Sequence, residues 1–347
     1  MRALVLRDRL EMSVIEVDAP IAGPGEILLE VRAAAVCGSD IHRFARGHRE
    51  YPMVLGHEAA GVIMAVGHGV DAELVGHRAA LIPLIPDHSC DQCLAGRFSA
   101  CASYTFVGSR RPGAFAECVV VPAANVLLVP DDLPFEHAAL IEPATVARHT
   151  LDLGRFEPGQ TALVLGAGSI GLMLVQWLRA LGASLVIATD VLDANLEAAR
   201  SMGAHLTLNP GRDDVPAQVR ARTGNTGVDC TFEASGSPTA LASVVEATRA
   251  RGQVVLAGNQ PPDTSLPMAF LERLMRRELT LTGSFMSYSA PWPGHEWADS
   301  LSGVRGGVLD MSAMVSHRVP LSDAPALFGD LAARRLAHRK IVFDPRS

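Results

Sequence analysis

The sequence predicts an α/β protein in which a doubly wound parallel sheet is joined to a mostly β, barrel-like domain. Three observations carry that prediction. A strand, a glycine turn, a helix and a second strand follow one another between Thr161 and Asp190. Upstream of about residue 140, short strand-like runs alternate with turns punctuated by Pro20, Gly23, Pro24, Pro52, Pro83 and Pro86. Beyond Glu142 the pattern changes to helix alternating with strand, as βαβ units require.

In the first part, residues 1–146, strands are expected at 27–31, 61–66, 78–82, 118–121 and 126–129. The second part, residues 147–284, opens its sheet with Thr161–Leu165, too short for a buried helix and closed at once by Gly166. Apolar residues at helical spacing run from 170 to 181, and Gly182 ends them. Strands Leu185–Thr189, Leu206–Leu208, 228–232, 253–256 and 279–282 bring the set to six, the count of a full doubly wound sheet. After Gly283 the chain is irregular in SFMSYSAPWPGHEW, then ends in a helical stretch and a strand at 340–343. Residues 285–347 are therefore expected to return to the first domain.

A chain of 347 residues that is 48% hydrophobic can build two real cores. Its formal net charge of -7 gives no general attraction to nucleic acid or to acidic membranes, so neither is an expected partner. The first residues lack the apolar core of a signal peptide and no segment is long and apolar enough to span a bilayer, so the expected location is the cytoplasm. There are six cysteines, and Cys90, Cys93 and Cys101 lie within twelve residues of one another. In a reducing compartment such clustering points to metal before disulfide. Lys340 is the single lysine among 30 basic residues, and nothing in its surroundings suggests a role.

The loop after Leu165 carries Gly166, Gly168 and Gly171 as G-x-G-x-x-G, with Ser169 and Ile170 between the last two. One glycine turns the chain, one lets the backbone approach a pyrophosphate, and one lets helix pack on strand. The N–H groups of the helix start then face the phosphates. Asp190 lies about 20 residues past the glycines, where a carboxylate accepts from a free ribose 2′-hydroxyl and repels a 2′-phosphate. NAD is the expected cofactor.

Cys37-Gly38-Ser39-Asp40, Gly56-His57-Glu58 and Glu142-Pro143 supply thiolate, imidazole and carboxylate, a donor set that suits zinc. Singly, Cys37 reads as a small buried hydrophobe and Glu142 as a helix-start carboxylate. Together they read as a metal site.

These pieces, CGSD, GHEAAGVIMAVGHGV, Glu142-Pro143 and GAGSIG, in this order, make the chain similar to the zinc-dependent medium-chain alcohol and polyol dehydrogenases over nearly its whole length. The resemblance implies a GroES-like catalytic domain beside a Rossmann domain. It implies that Cys37 and His57 bind a catalytic zinc, with Glu58 and Glu142 sharing the remaining protein position in an order the sequence leaves open. Ser39 and His42 would relay the proton, and Val146 would pack on the nicotinamide ring. It also implies a structural zinc in a C-x-x-C-x-x-C-x7-C lobe, where Cys90, Cys93 and Cys101 fill the last three positions and Asp87 stands in the first, with His88 as a substitute ligand. YTFVGSRRPGAFAE and GSFMSYSAPWPGHEW are similar to members that oxidise phosphorylated polyols. The substrate expected on that basis is a small polyol or sugar phosphate, with Arg110 and Arg111 as a phosphate clamp and backbone N–H groups around 289–294 as a second source of donors. A diol, secondary alcohol or sugar acid is the alternative, and a catalytically silent nucleotide-binding protein the other class. Retention of Cys37, His57, Glu58 and Glu142 argues against the last. Pairing of the final sheet strand with its mate makes a homodimer or homotetramer the expected assembly.

Overall fold

Runs such as ALVL in Thr161–Leu165 and VIA in Leu185–Thr189 have no polar face, so they are stable only where both sides of a sheet are covered. They form the centre of a six-stranded parallel sheet, in the order Leu206–Leu208, Leu185–Thr189, Thr161–Leu165, Val228–Glu233, Thr248–Leu256, Thr280–Gly283. The strand order reverses after Thr161–Leu165, the switch point at which open α/β sheets bind ligands. The strand at 248–256 begins five residues earlier than its apolar run indicates. Its polar start is held by a 2.7 Å contact between the Thr231 and Thr248 hydroxyls and by Arg277, which donates to the carbonyls of Val245 and Thr248.

The computed structural model describes residues 1–347 as two units. One comprises Met1–Glu142, Tyr288–Arg305 and Met311–Ser347; the other comprises Pro143–Ser287 and Gly306–Asp310 and carries the parallel sheet. The first unit is built on a sheet ordered Val126–Leu128, Arg78–Leu81, Glu58–Val66, Glu26–Ala35, Lys340–Asp344, Val315–Pro320, with Cys118–Pro122 also paired to Glu26–Ala35. Leu29, Ile63, Phe115, Phe328 and Phe343 are buried in its core, and Phe115 meets Phe343 edge-on at 5.2 Å. Arg2–Asp8 and Glu11–Glu16 pair antiparallel although charged residues at their ends obscure the strand pattern. No helix is long and apolar enough to cross a membrane.

Candidate metal centre and cofactor loop

The strands Glu26–Ala35 and Glu58–Val66 run antiparallel with Ala35 opposite Glu58, so the residues that follow one strand and precede the other emerge at the same sheet end. That register brings Cys37 beside His57. Cys37 is also the N-cap of the helix Gly38–Arg46, where the Asp40 carboxylate accepts the Cys37 backbone N–H at 3.1 Å. The ligand atoms of Cys37, His57 and Glu58 lie within 4.8 Å of one another. Glu142, buried in the first turn of the helix Ile141–Leu153, does not join that set of three.

Two residues to which the sequence assigned no role complete the centre. Asp40 is fully buried, and its second oxygen faces His57 Nδ1 at 3.5 Å. This arrangement suits an imidazole that keeps its proton on Nδ1 and offers Nε2 to a cation. Burial works against a charged His57, yet the Asp40 carboxylate and the Cys37 sulfur overcome it and push the imidazole well above the usual histidine range. Lys340 is 2% exposed and donates to both oxygens of Glu58, at 2.6 and 2.5 Å, and to the Val36 carbonyl at 3.3 Å. The only lysine is thus the counter-ion of a candidate ligand. Burial, with the neighbouring Glu58 and Asp40 carboxylates, pushes Glu142 up to about 7 against the opposing fields of His57 and Lys340. A half-buried thiol, a buried imidazole and crowded carboxylates form a donor set that a divalent cation neutralises, and it fits zinc.

The ligand atoms of Asp87, Cys90, Cys93 and Cys101 form a second set, also within 4.8 Å. Asp87 therefore stands where a fourth thiolate is usual. One of its oxygens accepts the backbone N–H groups of Ser89 and Cys90 at 2.8 and 2.9 Å, which fixes the turn that presents the cluster. Burial and the adjoining Cys101, Cys90 and Asp87 push the Cys93 thiol up to about 12. His88 does not serve as the substitute ligand. Its ring packs edge-on against Phe98 and Trp292, each at 5.6 Å.

In the other unit, Gly166 has φ +94°, and a Cβ there would lie 2.7 Å from Ser235. A Cβ on Gly171 would meet the Gly166 carbonyl oxygen at 1.8 Å, so helix packs on turn with no room for a side chain. Around Gly168 nothing lies within 4 Å of a Cβ position; that open space beside the N-terminus of the helix Ser169–Ala180 is a cradle for a phosphate group. Ser169 and Ile170 form the first turn of this helix, both half-buried. Asp190 is held in place by the N–H groups of Ala167 and Leu192, each at 2.9 Å, and by the Asn195 amide at 3.2 Å. Val146 is half-buried in the same unit.

The arginine clamp is not formed. Arg110 stacks over the Tyr104 ring at 3.7 Å and donates to the Tyr104 carbonyl, whereas Arg111 binds Glu26 at 3.1 Å and the Val120 carbonyl at 3.0 Å. Each guanidinium is held by a different partner, so the two do not converge on one anion. At the turn 289–294 the Ser289 hydroxyl donates to the buried Glu296 carboxylate at 2.7 Å, which places a carboxylate beside the backbone N–H groups there. Ser39 Oγ accepts from Arg43 at 2.7 Å, and His42 lies exposed one helical turn from Ser39.

A parallel sheet with a glycine-lined phosphate cradle, and a second unit bearing a close Cys-His-Glu cluster, define a metal-dependent nicotinamide dehydrogenase. Comparison with known proteins agrees. Residues 23–131 match the alcohol dehydrogenase GroES-like domain, and residues 169–301 match the zinc-binding dehydrogenase model. The chain is 38% identical over 318 residues to galactitol 1-phosphate 5-dehydrogenase of Escherichia coli (strain K12), covering 91% of this chain and 92% of the relative. It is 32% identical over 328 residues to sorbitol dehydrogenase of Bacillus subtilis (strain 168), covering 92% and 90%. The crystal structure of galactitol-1-phosphate dehydrogenase from Escherichia coli superposes with a TM-score of 0.95 at 34% identity, covering 99% of this chain and all of that one. A putative zinc-binding dehydrogenase from Sinorhizobium meliloti 1021 bound to NADP superposes with a TM-score of 0.91 at 30% identity, covering 99% of each chain. The chain belongs to the zinc-dependent medium-chain alcohol and polyol dehydrogenases, enzymes that use zinc and a nicotinamide cofactor.

Proposed function

We propose that this enzyme oxidises a secondary hydroxyl of a polyol phosphate to a ketone, with NAD as the acceptor. The observation that carries the chemistry is the close cluster of Cys37, His57 and Glu58. The phosphate part of the proposal is supported by the 38% identity to a galactitol 1-phosphate dehydrogenase, and the sorbitol dehydrogenase relative keeps a free polyol as the second reading.

Zinc bound there would supply Lewis acidity toward the substrate hydroxyl, and a bound nicotinamide would supply the hydride acceptor. Cys37 and His57 hold the metal, and a carboxylate from Glu58 or Glu142 supplies the remaining protein ligand. Asp40 orients His57 and keeps its proton on Nδ1. Ser39 receives the alcohol proton and His42 passes it toward solvent. Gly168 leaves room for the pyrophosphate, Asp190 accepts from the adenosine ribose, and Val146 packs on the nicotinamide ring. Asp87, Cys90, Cys93 and Cys101 hold a second zinc with a structural role.

None of the six cysteines is in a disulfide, which supports a reducing, cytoplasmic setting. Thr280–Gly283 forms one edge of the parallel sheet, and Leu281 and Phe285 beside it are 39% and 58% exposed. Pairing of this edge with a second copy would make a homodimer, the building block of a homotetramer. The substrate is tested by a panel of polyols and their phosphates assayed for NAD reduction. Equal kcat/KM for free and phosphorylated forms would remove the phosphate from this reading and leave the free polyol.

A further inference from the structure

On the helix Gly38–Arg46, Ser39, His42, Arg43 and Arg46 fall at positions i, i+3, i+4 and i+7, so they share one face. Asp40 and Phe44 point the other way and are buried. Phe44 packs on Phe328 at 5.6 Å, which seats this helix against Ala324–Ala332. The turn after that second helix carries Arg334. Partial burial and the fields of Arg46, Arg334 and Arg43 hold the His42 imidazole below the usual histidine range. Three guanidinium groups from two elements thus act on one histidine.

The row begins at the metal centre. Arg43 donates to Ser39 Oγ at 2.7 Å and lies 3.7 Å from the Asp40 carboxylate that faces His57. From there it runs outward to Arg46 and Arg334, which are both exposed. One helical turn advances about 5.4 Å, so Arg46 stands about 10 Å along the axis from Ser39. A sugar-alcohol chain whose reacting hydroxyl sits at Ser39 can lie along this face with its far end among the arginines. A neutral polyol needs no such row. A dianion does, because several convergent charged donors are what bind phosphate firmly.

We infer that Arg46 and Arg334 form the phosphate subsite of the substrate site, with Arg43 at its inner end beside Ser39, in place of Arg110 and Arg111. This rests on the polyol phosphate reading above. Arg43 has a second duty: by donating to Ser39 Oγ it occupies one lone pair and sets the direction of the serine hydroxyl.

The test uses the zinc-loaded enzyme with NAD, comparing galactitol 1-phosphate with galactitol and inorganic phosphate as a competitive inhibitor. Arg46→Gln and Arg334→Gln, both at exposed positions, are each expected to raise KM for the phosphorylated substrate about tenfold and to lower its advantage over galactitol. They should weaken inhibition by inorganic phosphate by a similar factor. Arg43→Lys should act on kcat as well, through Ser39. If the enzyme prefers the phosphorylated substrate but the exposed-site variants retain that preference, the subsite is wrong and the substrate reading stands. If KM for NAD rises in step instead, the guanidiniums serve the cofactor phosphates and the inference is overturned. If the unaltered enzyme shows no preference for phosphate, the substrate reading fails first and the subsite falls with it.

Discussion

Lys340 determines how much negative charge Glu58 can offer a metal. Both carboxylate oxygens of Glu58 are engaged by its ammonium, and the pair is almost fully buried, so neither charge has water to fall back on. Lys340→Met is expected to cost about 3–5 kcal/mol in chemical denaturation, the usual penalty for leaving a buried charge unpaired. Lys340→Met with Glu58→Gln should recover a large part of that loss while lowering zinc content. A loss of less than about 1 kcal/mol in the single variant would show that Glu58 is compensated by something else. Cofactor choice is also expected to rest on a single residue. Asp190→Ala is expected to raise KM for NAD about tenfold and to erase a preference for NAD over NADP, measured as the ratio of the two kcat/KM values. Cys37, His57 and Glu58 were legible in the sequence because they stand in motifs, CGSD and GHE, that together resemble those of a zinc-dependent family. Lys340 was not, because it stands 282 positions from Glu58 and nothing local marks it. Asp40 stood inside a recognised motif, yet its use depends on a side-chain direction that only the capped helix start supplies.

At the scale of elements, the lobe holding Asp87, Cys90, Cys93 and Cys101 is a short stretch of turns with little regular structure of its own. Metal is the natural staple for such a piece. Asp87→Ala is expected to bring zinc from two equivalents per chain toward one and to lower thermal stability more than kcat; one equivalent in the unaltered protein would rule out a filled lobe. The start of Thr161–Leu165 gives a second prediction. Burial would raise the Asp229 carboxyl, but the Thr161 hydroxyl and N–H, at 2.6 and 2.8 Å, and the Arg249 guanidinium hold it below its ordinary value. Its folded value lies below its unfolded one. The stabilisation is therefore complete above the unfolded value near 4 and is lost as pH falls through the folded value. Asp229→Asn should flatten the acid limb of a stability-pH curve, and an unchanged limb would contradict this. Apolar strands such as Thr161–Leu165 and Leu185–Thr189 were readable to the residue, because burial on both faces leaves a continuous hydrophobic run. Arg2–Asp8, Glu11–Glu16 and Val315–Pro320 were not, since each carries charged or polar residues on an exposed face or at its ends.

For the whole molecule, the glycine loop and the metal cluster sit on separate units, so binding of the dinucleotide and binding of the metal should be separable by mutation. Size-exclusion chromatography with light scattering is expected to show a dimer or tetramer, and Leu281→Arg, at the exposed edge strand, should shift it toward monomer. A monomer in the unaltered protein would remove the edge-pairing model. The most direct measurement of the central claim is NAD reduction by protein of known zinc content, with galactitol 1-phosphate as substrate, before and after chelation and in Cys37→Ala. The account predicts stoichiometric NADH and ketone from the zinc-loaded enzyme, and loss of turnover in both the chelated protein and Cys37→Ala while NAD still binds. Full turnover by demonstrably metal-free protein would contradict it.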